Sequence, residues 1–315
     1  MHSNQSQDAT AKAVEAVMKM ELPQHIARYA CEIKYDPVLG TMELVTKEAR
    51  MRGVAAIQDF QVISLSRTMR NQESFRRDGK PTLDMEFFVN DENGKIGVYS
   101  EHMCIDQHGL TNTHIEGINH MLWQGTVYGG HKLGTPEAER TDIMAWAERG
   151  WFTRGILADI PALRGTDYVH YDDPIVTGDE IEAALAAVGI TPHAGDALIL
   201  YMGYEVAQAI LDFDVDGPGP DFTRPGLGVT GAEWLVDNKI GLLLYDFEDA
   251  MHPSEPFAQG QLLEWAIGQG IVSGCNFGEA VKYSRATGRY DGLLLVSPLK
   301  IPKGTGSPVN PLWIV

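Results

Sequence analysis

The run His108-Gly-Leu-Thr-Asn-Thr-His114-Ile-Glu116-Gly-Ile-Asn-His120 gathers three histidines and a carboxylate within thirteen residues. His114 and Glu116 are two apart, so an extended strand turns both to one face. Gly117 permits a turn that folds His120 back toward them. Imidazole nitrogens and a carboxylate oxygen are the donors that Zn²⁺ or Mn²⁺ takes. Such an ion makes water a nucleophile at neutral pH. His120 has a second use, because an imidazole titrates near neutrality and can act as a general base. The same residue types also build hydrogen-bonded polar turns, so spacing alone leaves a hydrolytic site and a structural turn both open.

The elements that must position these groups are marked by the hydropathy pattern. Residues 1–10 are polar and read as a disordered tail, followed by a single domain over 11–315. Ala11 to Met20 has the spacing of a short amphipathic helix. The apolar runs Val54 to Leu65 and Met85 to Val89 read as strands. Helices are expected from Asp142 to Arg149 with Gly150 as the stop, from Glu180 to Val188 with Gly189 as the stop, and from Leu262 to Gly268. Thr230 and Glu233 have capping-box spacing for a helix through Val236. Further strands are expected at Gly155–Ile160, Ala197–Tyr201, Gly241–Tyr245 and Leu293–Val296. This alternation predicts an α/β domain, a mixed β-sheet flanked by helices. Residues 212–228, rich in Asp, Gly and Pro, read as a loop.

Composition narrows the function classes. A net charge of −18 opposes nucleic-acid binding, because phosphates are repelled. No stretch approaches the length of a membrane span, and the N-terminus has no charged-then-apolar leader pattern. Cys31, Cys104 and Cys275 are scattered and form no metal knuckle, which fits a reducing cytoplasm. The expected partner is a small molecule. Met121, Leu122, Trp123 and Tyr128 suit a planar aromatic ligand, and equally a core or a subunit interface. Arg224 suits a clamp on a substrate carboxylate, or an ion pair within its own loop. Asp246, Glu248 and Asp249 end an apolar strand, where α/β folds carry functional groups and also solvated acids. Gly304-Thr-Gly-Ser offers backbone N–H groups to an anion.

Taken in order, several segments are similar to one family. His114-Ile-Glu-Gly-Ile-Asn-His120 resembles a His-x-Asp-x-x-x-His motif. Trp123-Gln-Gly-Thr-Val-Tyr128 resembles a following Gly-x-x-Tyr segment. Thr153-Arg-Gly-Ile-Leu-Ala-Asp159-Ile, Gly195-Asp-Ala-Leu-Ile-Leu, Arg224-Pro-Gly-Leu and Gly304-Thr-Gly-Ser-Pro-Val-Asn-Pro follow. The chain thereby resembles the cyclase family of metal-dependent hydrolases, which includes bacterial kynurenine formamidase and isatin hydrolase. It departs from that pattern where a metal would bind. Leu110 stands at the motif's first histidine, Glu116 replaces its aspartate, and Leu263 and Cys275 fall on a later His and Glu.

The resemblance implies hydrolysis of a C–N bond in a small aromatic formamide or cyclic amide by metal-activated water, in a homodimer or homotetramer. It makes His114, Glu116 and His120 metal ligands, with His108, Cys275 or His252 to complete the set. His120 alternatively serves as base, and Tyr128 orients substrate or sits in the core. Trp123, Arg224 and Cys275 are the substrate-binding candidates. Two other readings keep the scaffold. One is metal-independent cyclisation, dehydration or isomerisation by His and Glu acid-base chemistry. The other is binding without catalysis.

Overall fold

The computed structural model describes residues 21–70, 83–90, 97–109, 111–211, 224–255 and 257–315. The expected N-terminal tail and the Ala11–Met20 helix lie outside these residues, as do Leu110 and most of the 212–228 loop.

Nine strands form one mixed sheet. Its order is Val62–Ser64, Leu312–Ile314, Asp291–Val296, Trp151–Asp159, Ala197–Tyr201, Leu242–Tyr245, Gly270–Ser273, His114–Glu116 and Gly306–Pro308. The four strands from Trp151–Asp159 to Gly270–Ser273 run parallel, and antiparallel pairs flank them on both sides. The parallel strands are buried on both faces, which is why Ala197-Leu-Ile-Leu-Tyr201 and Leu242-Leu-Leu-Tyr245 are apolar without alternation.

Two apolar layers cover the sheet. Leu198, Leu200, Leu243, Tyr245 and Ile271 face a layer that includes Ile181, Leu185, Leu235, Leu262 and Leu263 from the helices Gly178–Ala187, Val229–Asp237 and Gln259–Ile267. Ile115, Leu157, Ile199, Leu244 and Val272 face the opposite layer, with Trp146, Trp151, Phe277 and Trp313. Helix ends are set as their residues dictate. Thr177 and Glu180 form a capping box at Gly178–Ala187. Gly150 and Gly268 end their helices at φ 66 and 67.

Two expected elements differ. The Val54–Leu65 run is not one strand. Thr46 caps a helix over Lys47–Ala55, its side chain accepting from the Ala49 N–H, and only Val62–Ser64 joins the sheet. The Val229–Asp237 helix begins at Gly228 without the Thr230 capping box. Glu255 accepts from the Val229 N–H there, while the Thr230 hydroxyl accepts from the Gly178 N–H of the neighbouring helix.

Candidate functional site

The three-residue strand His114–Glu116 carries the first of the candidate side chains. It lies between Gly270–Ser273 and Gly306–Pro308, with His114 opposite Ser273 and Pro308, and Glu116 opposite Ile271 and Gly306. Ile115 enters the second core layer, so His114 and Glu116 turn to the other face. Both are almost wholly buried. His114 Nδ1 donates to the Asn112 carbonyl at 2.9 Å, which turns Nε2 toward Glu116 Oε1 at 3.5 Å. Ser273 Oγ donates to the same Glu116 oxygen at 3.0 Å.

A second buried carboxyl meets this pair. Glu264 lies in the helix Gln259–Ile267, fully buried, with Oε1 accepting from the Met121 N–H at 2.9 Å. Burial pushes the Glu264 carboxyl well above the usual range, and the charge of Glu116 adds to that. Glu116 moves the other way. Burial opposes its charge, but the His114 hydrogen bond and the positive field of His120 and His114 outweigh it. Burial and the Glu116 charge thus favour a neutral Glu264, able to donate its O–H to the Glu116 carboxylate. Neither Oε2 has another donor among the described residues. For His114, burial disfavours the cation, but bonding to Glu116, its charge and the Asn112 carbonyl raise the pKa overall. Burial and mutual bonding therefore favour an ionised Glu116 beside a neutral Glu264, with the His114 cation stabilised by Glu116.

His108 and His120 form the half-buried cover. A turn from the Gly117 carbonyl to the His120 N–H at 2.7 Å brings His120 back. Its ring stacks on His108 with centroids 3.9 Å apart and planes 9° apart. His108 meets His114 edge-on at 5.1 Å, and its Nε2 is 2.9 Å from Thr305 Oγ1. The Gly304-Thr-Gly-Ser segment thus supports the histidines and continues into the Gly306–Pro308 edge strand.

The donor set does not fit a metal ion as arranged. Among the described residues no three His, Cys, Asp or Glu side chains converge on a cation position. An imidazole binds a metal in its own plane at about 2 Å, so an ion held by one stacked ring stands well out of the other's plane. His114 Nε2 faces Glu116 Oε1, and Ser273 donates to that same oxygen.

The other sequence candidates are dispersed. Tyr128 is buried, and its hydroxyl donates to the Tyr35 carbonyl at 3.2 Å, beside Asp36 and Glu43 rather than the histidines. Trp123 packs 6.1 Å from Phe257 at the margin of the first core layer. Arg224 pairs with Glu248 at 3.1 Å, and the field of Glu248 reaches His114. Cys275 is fully buried in the second core layer, its thiol 3.7 Å from the Val272 carbonyl. His252 Nδ1 lies 2.6 Å from Ser254 Oγ in its loop. Asp246 and Asp249 are buried rather than solvated. Asp246 accepts from Met202, Gly203, Tyr204 and Phe247 N–H groups, and Asp249 from those of Gly260 and Gln261.

Sequence reasoning missed Glu264, one residue along from Leu263. Its signal is an acid inside the run Leu262-Leu-Glu-Trp-Ala-Ile267, where a helix turns successive residues inward. Ser273 gave no signal, since nothing but sheet register brings it to the cluster.

A family model described as "Putative cyclase" matches residues 23–250. No curated protein matches the chain. Among solved structures, a novel cyclase superposes with a TM-score of 0.75 at 20% identity, over 89% of this chain and 94% of that one. An isatin hydrolase bound to the product analogue thioisatinate gives 0.55 at 18% identity, over 86% and 99%. Isatin hydrolase A from Ralstonia solanacearum gives 0.56 at 18% identity, over 84% and 95%.

Proposed function

We propose that this chain, which belongs to the cyclase family, is an enzyme that hydrolyses the C–N bond of a small aromatic formamide or cyclic amide. The observation that carries the reading is the half-buried His120, turned back by the Gly117 carbonyl toward the buried set His114, Glu116 and Glu264. His120 takes a proton from water as the water oxygen attacks the carbonyl carbon. The Glu116 carboxylate stabilises the imidazolium that forms. The same proton then passes to the leaving nitrogen as the C–N bond breaks, so the amine departs neutral and a carboxylic acid remains. Glu264 stays protonated and keeps a second negative charge out of the buried cluster. Isatin hydrolases among the fold relatives support the substrate class.

The exposed apolar face of the hairpin Leu83–Asn90 and Val98–Ile105 supports a homodimer or homotetramer. Cross-strand register puts Met85, Met103, Phe87, Val89 and Tyr99 on that face around a single charge, Glu101, with Phe87 54% and Tyr99 69% exposed. No helix among the described residues is long and apolar enough to cross a membrane.

Product analysis with a small aryl formamide and a cyclic amide tests the reading. Release of amine and acid by the purified protein, lost in His120→Ala, is expected. Saturable binding of both compounds with no turnover would leave only a binding role.

A further inference from the structure

A cleft that the histidine cluster does not use lies beside Cys275. Its cavity volume is about 110 Å³, and Arg67, Arg70, Tyr204, Glu205 and Gln208 line it with Cys275. Tyr204 and Glu205 follow the end of the strand Ala197–Tyr201, and Cys275 follows that of Gly270–Ser273. The cleft therefore sits at the C-terminal ends of parallel strands, where α/β sheets receive ligands.

Its walls are fixed before any ligand arrives. The Arg67 guanidinium lies 3.7 Å from the centroid of the Tyr204 ring. Its Nε donates to the Cys275 carbonyl at 3.2 Å, and Nη2 donates to the Asp246 carbonyl. Glu205 Oε1 accepts from the Tyr201 hydroxyl at 3.0 Å. Glu205 Oε2 is shut off from solvent with no protein donor. Burial raises the Glu205 pKa, which favours the protonated form that can donate to a ligand. The protein carries a net charge of −18, yet two arginines and one acid line this cleft. A local reversal of sign in a concave site concentrates small anions. A carboxylate matches the planar donors of arginine and accepts a short bond from a neutral acid.

We propose that the cleft between Arg67, Arg70, Tyr204 and Glu205 binds a small carboxylate-bearing molecule. The inference does not depend on the reaction proposed above.

Isothermal titration of the full chain with benzoate tests it, with benzamide as the neutral isostere and inorganic phosphate as a rival anion. Benzoate binds at one site per chain, and benzamide binds at least about ten-fold more weakly. Glu205→Ala and Arg70→Gln each weaken benzoate by about ten-fold or more. Glu205→Gln keeps an N–H donor and stays within about three-fold of the parent. His120→Ala binds benzoate as the parent does. The proposal is overturned by absence of saturable benzoate binding, by equal binding of benzamide, or by tighter binding of phosphate. Loss in His120→Ala with both cleft variants unaffected also overturns it, since the anion would then sit at the histidines.

Discussion

Glu264 is the residue whose protonation decides how the buried cluster works. A neutral acid there donates to Glu116, and an amide can imitate it. Glu264→Gln should therefore unfold within about 1 kcal/mol of the parent by chemical denaturation. A loss beyond about 3 kcal/mol would mean that the carboxylate form carries the stability. Ser273→Ala removes a donor from the buried Glu116 carboxylate and should cost about 1.5–3 kcal/mol in the same measurement. An unchanged midpoint would remove Ser273 from the cluster. At this scale the sequence was legible only where partners are neighbours. His114, Glu116 and His120 sit close enough for strand and turn geometry to bring them together. Glu264 joins them through the fold alone. The hydroxyl of Tyr128 could not be aimed from sequence, because its partner is the carbonyl of Tyr35.

The helix Gln259–Ile267 carries Glu264, and its position depends on how its two ends are held. Asp249 accepts from the N–H groups of Gly260 and Gln261, and burial pushes its carboxyl up to about 7. The unfolded chain ionises this group near pH 4. Between about 4 and about 7 the unfolded state has lost a proton that the folded state keeps. Stability therefore falls as pH rises through that window, by at most about 4 kcal/mol from this group. Asp249→Asn should remove that component, read as the difference between the two proteins' denaturation midpoints from pH 4 to 8. A constant difference across the range would contradict it. The other end is held at Gly268. A Cβ at Gly40, whose φ is 51, would lie 2.1 Å from the Gly268 carbonyl oxygen. Gly40→Ala should cost about 2 kcal/mol or more, because neither backbone can give way. Parallel strands and the glycine stops were legible because burial on both faces leaves continuous apolar runs and left-handed φ demands glycine. The Lys47–Ala55 helix was not, since its cap at Thr46 precedes the apolar run that suggested a strand. The Thr230 capping box failed because Glu255, distant in sequence, takes the N-terminal N–H instead.

For the whole molecule, the charge of −18 and the amphipathic hairpin set the expectations. The apolar hairpin face should be covered by another copy, because a two-stranded hairpin is marginal alone. Light scattering should give a dimer or tetramer, and Phe87→Asp with Tyr99→Asp should shift it to the monomer; a monomeric parent would contradict this. The α/β class followed from the alternation of runs, whereas the separation of the Cys275 cleft from the histidine cluster is a property of the folded sheet. The most direct test of the acid-base account is turnover of an aryl formamide and a cyclic amide by protein stripped with a chelator, with elemental analysis of the same sample. Turnover that persists without bound ion and falls by about 100-fold or more in His120→Ala is the predicted result. Turnover that disappears on stripping and returns only with Zn²⁺ or Mn²⁺ would contradict it.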